Sequence, residues 1–111
     1  MELQYKSATQ LSAMLRAKEV SAVEIAESAF AQIAKTENQV DAFLTITKET
    51  AMESAKAVDA KLAKGEEIGA LAGIPIAIKD NICTKGVKTT CASKMLENFI
   101  PPYNATVMEK L

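Results

Sequence analysis

Residues 71–81 read Leu71-Ala72-Gly73-Ile74-Pro75-Ile76-Ala77-Ile78-Lys79-Asp80-Asn81. Gly73 and Pro75 shape the entrance to an apolar run, Ile76-Ala77-Ile78, which ends abruptly in a base, an acid and an amide. A short apolar run bounded by turn residues predicts a strand. The polar groups at its end make it the candidate site.

Upstream, three segments carry helical signals. Ser7 and Gln10 have capping-box spacing, and Ala8, Leu11, Met14 and Leu15 form one apolar stripe, which predicts a helix from Ser7 to about Lys18. Ser21 and Glu24 repeat the cap. Ala22, Ile25, Ala26, Ala29, Phe30 and Ile33 then recur at three- and four-residue steps, so a second helix is expected from Ala22 to Ala34 or a little beyond. Lys18-Glu19-Val20 is too short for an independent linker, and the two helices should form a compact corner. The alternation in Ala42-Phe43-Leu44-Thr45-Ile46 favours a short strand. A third helix is expected over Lys48–Lys64, capped by Thr47 and closed by Gly65, with Ala51, Met52, Ala55, Val58 and Leu62 inward. Lys56, Lys61 and Lys64 form its solvated face.

Downstream, Thr84-Lys85-Gly86 predicts a turn and Val87 to Cys91 an extended segment. Pro101-Pro102 breaks the chain before another helix, Ala105 to Leu111. Helix, strand, helix, strand and a beginning helix is the order of an α/β fold, whose strands need neighbours and covering helices. The last apolar face, Val107, Met108 and Leu111, stops after two turns, below the length at which a helix stands without tertiary support. The segment therefore reads as the beginning of something larger.

Composition narrows the chemistry. The 111 residues carry 13 basic and 14 acidic side chains, a formal charge of −1 and no histidine. No global field recruits nucleic acid or anionic lipid. Without imidazole there is no Ser-His or Cys-His pair and no histidine metal ligand in this segment, which leaves lysine, carboxylate, tyrosine and thiolate as bases. Cys83 and Cys91 lack the spacing of a zinc knuckle or a redox pair and read as reduced or buried thiols. The start, MELQYKSATQ, has no signal-peptide pattern, and no stretch approaches the roughly 20 apolar residues that span a bilayer. A soluble, cytoplasmic chain is the expectation.

Taken by itself, Lys79 reads as a general base, an anion contact or a salt-bridge partner. Burial at a strand end disfavours an ammonium, whereas a neighbouring carboxylate favours it. Successive strand side chains point to opposite faces, so Lys79 and Asp80 need not touch.

The residues 71–81, with Lys85-Gly86, Thr89-Thr90-Cys91, Ser93-Lys94 and Leu96-Glu97-Asn98-Phe99, carry a resemblance that extends over almost the whole chain. The chain resembles the amidase signature family. The Thr-Lys-Gly turn, the Ser-Lys segment and Pro101-Pro102-Tyr103-Asn104-Ala105-Thr106-Val107 point to the tRNA-linked amidotransferases within it. The resemblance implies an α/β fold in which residues 1–111 supply the N-terminal helices and first strands of a single larger, mixed-sheet domain, truncated here and not a complete separate domain.

On that resemblance Lys79 matches the lysine of a Ser-cisSer-Lys triad. Both triad serines lie in a Gly- and Ser-rich segment beyond this chain, and Ser93 matches neither. Asp80 and Asn81 are implied as hydrogen-bonding support for the loop beside Lys79; their plain alternative is an Asx turn. Cys91 is expected near that framework as a structural thiol. At position 92 close relatives often place glycine where this chain has alanine, which raises the question of a local backbone adjustment. For the intact protein the resemblance implies hydrolysis of glutamine, with ammonia passed to a partner that activates misacylated tRNA. The implied partners are the B and C subunits, and ATP and Mg²⁺ are used at one of these partners, with no cofactor on this segment. Two other classes stay open: a stand-alone small-molecule amidase, and a noncatalytic helical interaction segment.

Overall fold

The computed structural model describes residues 2–111, and the chain divides into one unit that runs to Pro75 and a second, Ile76–Leu111. The first unit is helical. Helix α1 is Ala8–Arg16, α2 is Ala22–Val40 and α3 is Lys48–Ala63, preceded by a 3-10 turn, Leu3–Tyr5.

Both expected capping boxes form. Ser7 Oγ accepts from the Gln10 N–H at 3.2 Å while Gln10 Oε1 accepts from the Ser7 N–H at 2.9 Å. At α2 the Ser21 and Glu24 pair does the same, at 3.1 and 2.7 Å. Two further amides at that end, Ala22 and Val23, donate to the Asp59 carboxylate at 2.7 and 3.1 Å. Every N–H of the first turn thus has an acceptor, and the acceptor charge lies at the positive end of the helix. Asp59 comes from α3, so the same contact ties α3 to α2. Thr47 stands at the N-cap of α3 but its side chain makes no capping bond.

The helix ends are also closed. Glu19 N–H bonds the Met14 carbonyl and Lys18 N–H that of Leu15, at 2.9 and 3.1 Å, a Schellman motif with Lys18 left-handed at φ 59°. At the end of α3 the same motif places Gly65 at φ 74°, with Glu66 to Lys61 at 3.0 Å and Gly65 to Leu62 at 3.1 Å. Helix α2 runs to Val40, beyond the stripe that ends near Ala34. Lys35, Glu37 and Gln39 are good helix formers that need no burial, and a left-handed Asp41, φ 49°, stops the helix.

The core of this unit comprises Leu3, Leu11, Leu15, Val20, Ala22, Ile25, Ala26 and Ala55, with Met14, Met52, Val58, Leu62, Ile68 and Ile74 packed against it. Helix α2 packs on α3 and on the first 3-10 turn. The small residues Ala22, fully buried, and Ala55 let the elements approach closely. Gly73 approaches closer still. At φ 78°, a Cβ there would lie 2.8 Å from Leu15 Cδ2, 3.1 Å from Ala22 Cβ and 3.4 Å from Val58 Cγ1. The 68–70 backbone is held by α1, since Arg16 Nη2 donates to the Ile68 and Gly69 carbonyls at 3.4 and 3.2 Å and Ser12 Oγ to Ala70 at 3.4 Å.

Neither expected strand forms among the described residues. Residues 42–46 and 76–79 carry no ladder hydrogen bonds. The Phe43 N–H goes to the Glu37 carboxylate at 2.7 Å, and Leu44 and Ile46 are exposed. Alternation and apolar runs describe how a strand packs, but the strand itself requires a neighbouring chain to fill its hydrogen bonds. The sheet of the α/β expectation is therefore absent from these residues, and what stands is the helical half.

The second unit is mostly loop. It contains a 3-10 turn, Lys94–Leu96, and a short helix α4, Thr106–Lys110, inside the expected Ala105–Leu111. The expected turn is present, closed by Val87 N–H to the Thr84 carbonyl at 3.1 Å. The unit is joined by single backbone bonds across the loop: Gly86 to Pro101 at 3.1 Å, Thr89 to Phe99 at 3.1 Å and Ala105 to Cys83 at 2.8 Å. Pro101, read from sequence only as a breaker, is fully buried, and Thr89 is buried with its hydroxyl donating to the Val87 carbonyl at 3.2 Å. Among the described residues no helix is long and apolar enough to cross a membrane.

Candidate active site

Lys79 stands at the first position of a tight turn. Its carbonyl accepts the Ile82 N–H at 3.0 Å, which puts Asp80 and Asn81 at the two corners. The Lys79 side chain is exposed and takes no part in the bonds that fix the turn.

Asp80 carries those bonds. Its Oδ1 accepts the Thr90 N–H at 2.9 Å, and its Oδ2 accepts the Thr90 hydroxyl and, at 3.2 Å, the Ala92 N–H. The Asp80 backbone carbonyl accepts the Cys91 N–H at 2.9 Å. Three consecutive amides, 90 to 92, thus converge on one residue. Cys91 and Ala92 reach this arrangement with left-handed backbones, φ 52° and 54°. Consecutive N–H groups curved in this way form a concavity that suits an anion, and here the chain's own carboxylate fills it. The Thr90 hydroxyl bond lowers the Asp80 pKa below the ordinary 3.8, helped by the Thr90 and Ala92 amides and opposed by partial desolvation. Asn81 is exposed, and its side chain adds no bond to this network.

The left-handed pair ends the expected extended segment at Thr90. It also gives a physical account of Ala92, because a left-handed residue is where glycine fits without strain. Cys91 lies beside the framework as expected, bonded to it through its backbone; its side chain is exposed and free. Cys83 is also free, with its Sγ 3.7 Å from the Tyr103 hydroxyl. That contact, with the charge of the thiolate and some desolvation behind it, raises the Tyr103 pKa above 10.0. On the other side of the turn the Lys85 N–H donates to Asn104 Oδ1 at 2.8 Å.

Sequence reasoning singled out Lys79, Asp80 and Asn81 and did not assign Thr90 a role. The one signal was the pair Thr89-Thr90 with Ala92 two positions on. Nothing in the spacing announces that Thr90 reaches back ten residues to Asp80.

Residues 24–111 match the protein family described as Amidase. Over all 111 residues the chain is 52% identical to the A subunit of the glutamyl-tRNA(Gln) amidotransferase of Carboxydothermus hydrogenoformans, of which it covers 23%. To the protein of the same name from Picosynechococcus it is 59% identical over 101 residues, 91% of this chain and 21% of that protein. The chain thus spans under a quarter of the length of the curated relatives it matches. Among solved structures, a chain from a vestigial protein complex bearing on the evolutionary origins of an s-triazine catabolic enzyme superposes with a TM-score of 0.90. It is 28% identical, over 95% of this chain and 23% of that one.

Proposed function

The chain belongs to the amidase family, and from that premise we propose that residues 1–111 are the N-terminal part of the A subunit of a glutamyl-tRNA(Gln) or aspartyl-tRNA(Asn) amidotransferase. They belong to a single larger amidase domain whose sheet is completed outside this segment. The observation that carries the reading is the identity to A subunits across the whole chain, well above that to the s-triazine-linked relative. The exposed Lys79 on a turn braced by the 90–92 loop supports it.

In this reading Lys79 is the base of a Ser-cisSer-Lys triad, and both serines lie outside the segment. The neutral amine takes a proton through the bridging serine while the second serine attacks the carboxamide carbon of glutamine. The tetrahedral adduct collapses with a proton delivered to the departing nitrogen, which leaves as ammonia, and a γ-glutamyl ester remains on the serine. Water then cleaves that ester to glutamate, with the lysine relaying protons in the reverse sense. Ammonia passes to a partner, where it amidates misacylated Glu-tRNA(Gln) or Asp-tRNA(Asn). The B and C subunits are the assigned partners, and the complex works in the cytoplasm. ATP and Mg²⁺ are assigned to one of these partners, and no step is routed through them here. Among the described residues, no group of three or more His, Cys, Asp or Glu is placed to hold a metal.

Steady-state glutamine hydrolysis by the full-length protein in its complex tests the reading. Lys79→Ala should abolish turnover while the fold is kept; comparable rates for the two proteins would reject it. The isolated 111-residue chain should be inactive, and glutamine hydrolysis by it, with contaminating enzyme excluded, would sink the division of the triad.

A further inference from the structure

Asp80 is followed in the turn by Asn81, whose side chain makes no hydrogen bond to this network, and preceded by Lys79, whose carbonyl accepts the Ile82 N–H. The position of the lysine backbone therefore depends on how firmly Asp80 is held. Among the described residues, the hydrogen bonds to Asp80 come from residues 90–92, and Thr90 alone of these contributes a side chain.

The Thr90 hydroxyl works twice. It donates to Asp80 Oδ2 and accepts from the Ala92 N–H at 3.2 Å, while the Thr90 amide takes Oδ1 at 2.9 Å. The aspartate and the left-handed pair Cys91-Ala92 are thereby clamped to each other through one side chain. Strained backbone of this kind persists only where its surroundings over-determine it, and it concentrates at functional sites. A lysine has four rotatable side-chain bonds. If its backbone also wanders, the amine spends little time where a proton is to be accepted.

We propose that Thr90 is a positioning residue for Lys79, holding through the Asp80 carboxylate the turn that carries the catalytic lysine. The proposal rests on the assignment of Lys79 as the triad base. It gives Thr90 a duty that no general stability role shares: its hydroxyl sets turnover while leaving substrate binding alone.

The test measures glutamine hydrolysis and thermal unfolding of the full-length protein in its complex. Thr90→Val keeps the shape and removes the hydroxyl. It should lower kcat by about 10- to 100-fold, the scale expected for a sub-ångström to ångström displacement of a catalytic group, with KM for glutamine unchanged. Thr90→Ser, which restores the hydroxyl, should return kcat to within about twofold of the parent, the small residue reflecting its freer rotamer. Asn104→Ala, which removes the Lys85 brace of the same unit without touching Asp80, should lower the unfolding temperature and leave kcat in place. Should Thr90→Val fail to fold, Asp80→Asn reads the same link, because its amide cannot accept from both Thr90 and Ala92; a loss of kcat with KM held supports the proposal. Thr90→Val or Asp80→Asn at parental kcat, with Lys79→Ala inactive, overturns the positioning role alone. So does an equal loss of kcat in Asn104→Ala. An active Lys79→Ala overturns the underlying assignment instead.

Discussion

In the unit that runs to Pro75, most helix ends are closed by residues three to five positions away, as in Ser7 with Gln10 and Glu19 with Met14, with Asp59 at the start of α2 the long-range exception. In Ile76–Leu111 short turns such as Lys79–Ile82 are tied to one another by bonds between residues ten or more apart, such as Asp80 with Thr90 and Lys85 with Asn104, 19 apart. The first unit has an apolar core and uses polar groups to finish its helices. The second exposes Ile76, Phe99, Ile100, Tyr103 and Val107 and relies on single hydrogen bonds to define its shape. A packed helical unit thus stands in sequence before a loop whose geometry is set one bond at a time. Substitutions in the first should therefore act through stability, whereas turnover should respond to those at the Lys79–Asp80 turn of the second.

The largest effect should come from the second unit with no change in folding. Lys79→Ala in the full-length protein should cost at least about a thousandfold in glutamine hydrolysis, within the range for loss of a general base that is also part of a relay, with an unfolding temperature like the parent's. A parallel loss of thermal stability would erase the contrast. Next is Gly73→Ala in the first unit. A methyl there meets Leu15 and Ala22 within 3.1 Å on a left-handed backbone, which should destabilise by about 2–4 kcal/mol by adding overpacking to backbone strain. Urea unfolding measures it, with catalysis at low temperature preserved.

Removing the shared cap should cost less. Asp59→Ala strands the Ala22 and Val23 amides, for about 1–2 kcal/mol in the same measurement. Ala92→Gly should be smaller and opposite in sign, a gain of up to about 1 kcal/mol from relief of the left-handed alanine, offset by the greater chain entropy of glycine. A loss on this substitution would mean that the alanine methyl packs rather than strains.

The smallest effect at neutral pH is the pH response of Asp80. Its pKa in the folded chain lies below 3.8, so the brace contributes fully above that value and is lost as pH falls through the folded one. Hydrogen-exchange protection at Thr90 and Ala92, taken relative to the intrinsic rate at each pH, should be lost as the pH falls below 3.8, while amides in the middle of α2 remain protected. Uniform loss of protection across both units would contradict the division.

The helices were legible because their determinants are local. Ser7, Ser21 and Gly65 announce ends, and the spacing of Leu11, Leu15, Ile25 and Ala26 announces a face. Asp59 was not legible, since a mid-helix aspartate reads as solvated until α3 is laid against the start of α2. The expected strands do not form among the described residues for a related reason: Ile76-Ala77-Ile78 has a strand's composition, but composition does not supply the neighbouring chain that a strand's hydrogen bonds require. At the candidate site the chemistry-bearing residues could be named from the order Lys-Asp-Asn, whereas Thr90 could not. An ordinary threonine acquires its role only when a pair of left-handed residues folds its loop back onto Asp80.

By itself the sequence determined where α1, α2 and α3 begin, which of their faces are buried, and that a lysine follows the apolar run at 76–78. These depend on capping, periodicity and side-chain chemistry, which act within a few residues. Tertiary structure alone decided that Asp59 caps a helix it does not belong to, that Gly73 must lack a side chain, and that Asp80 is seated by Thr90. Each is a contact between segments distant in sequence, and its energy exists only once the chain between them has folded.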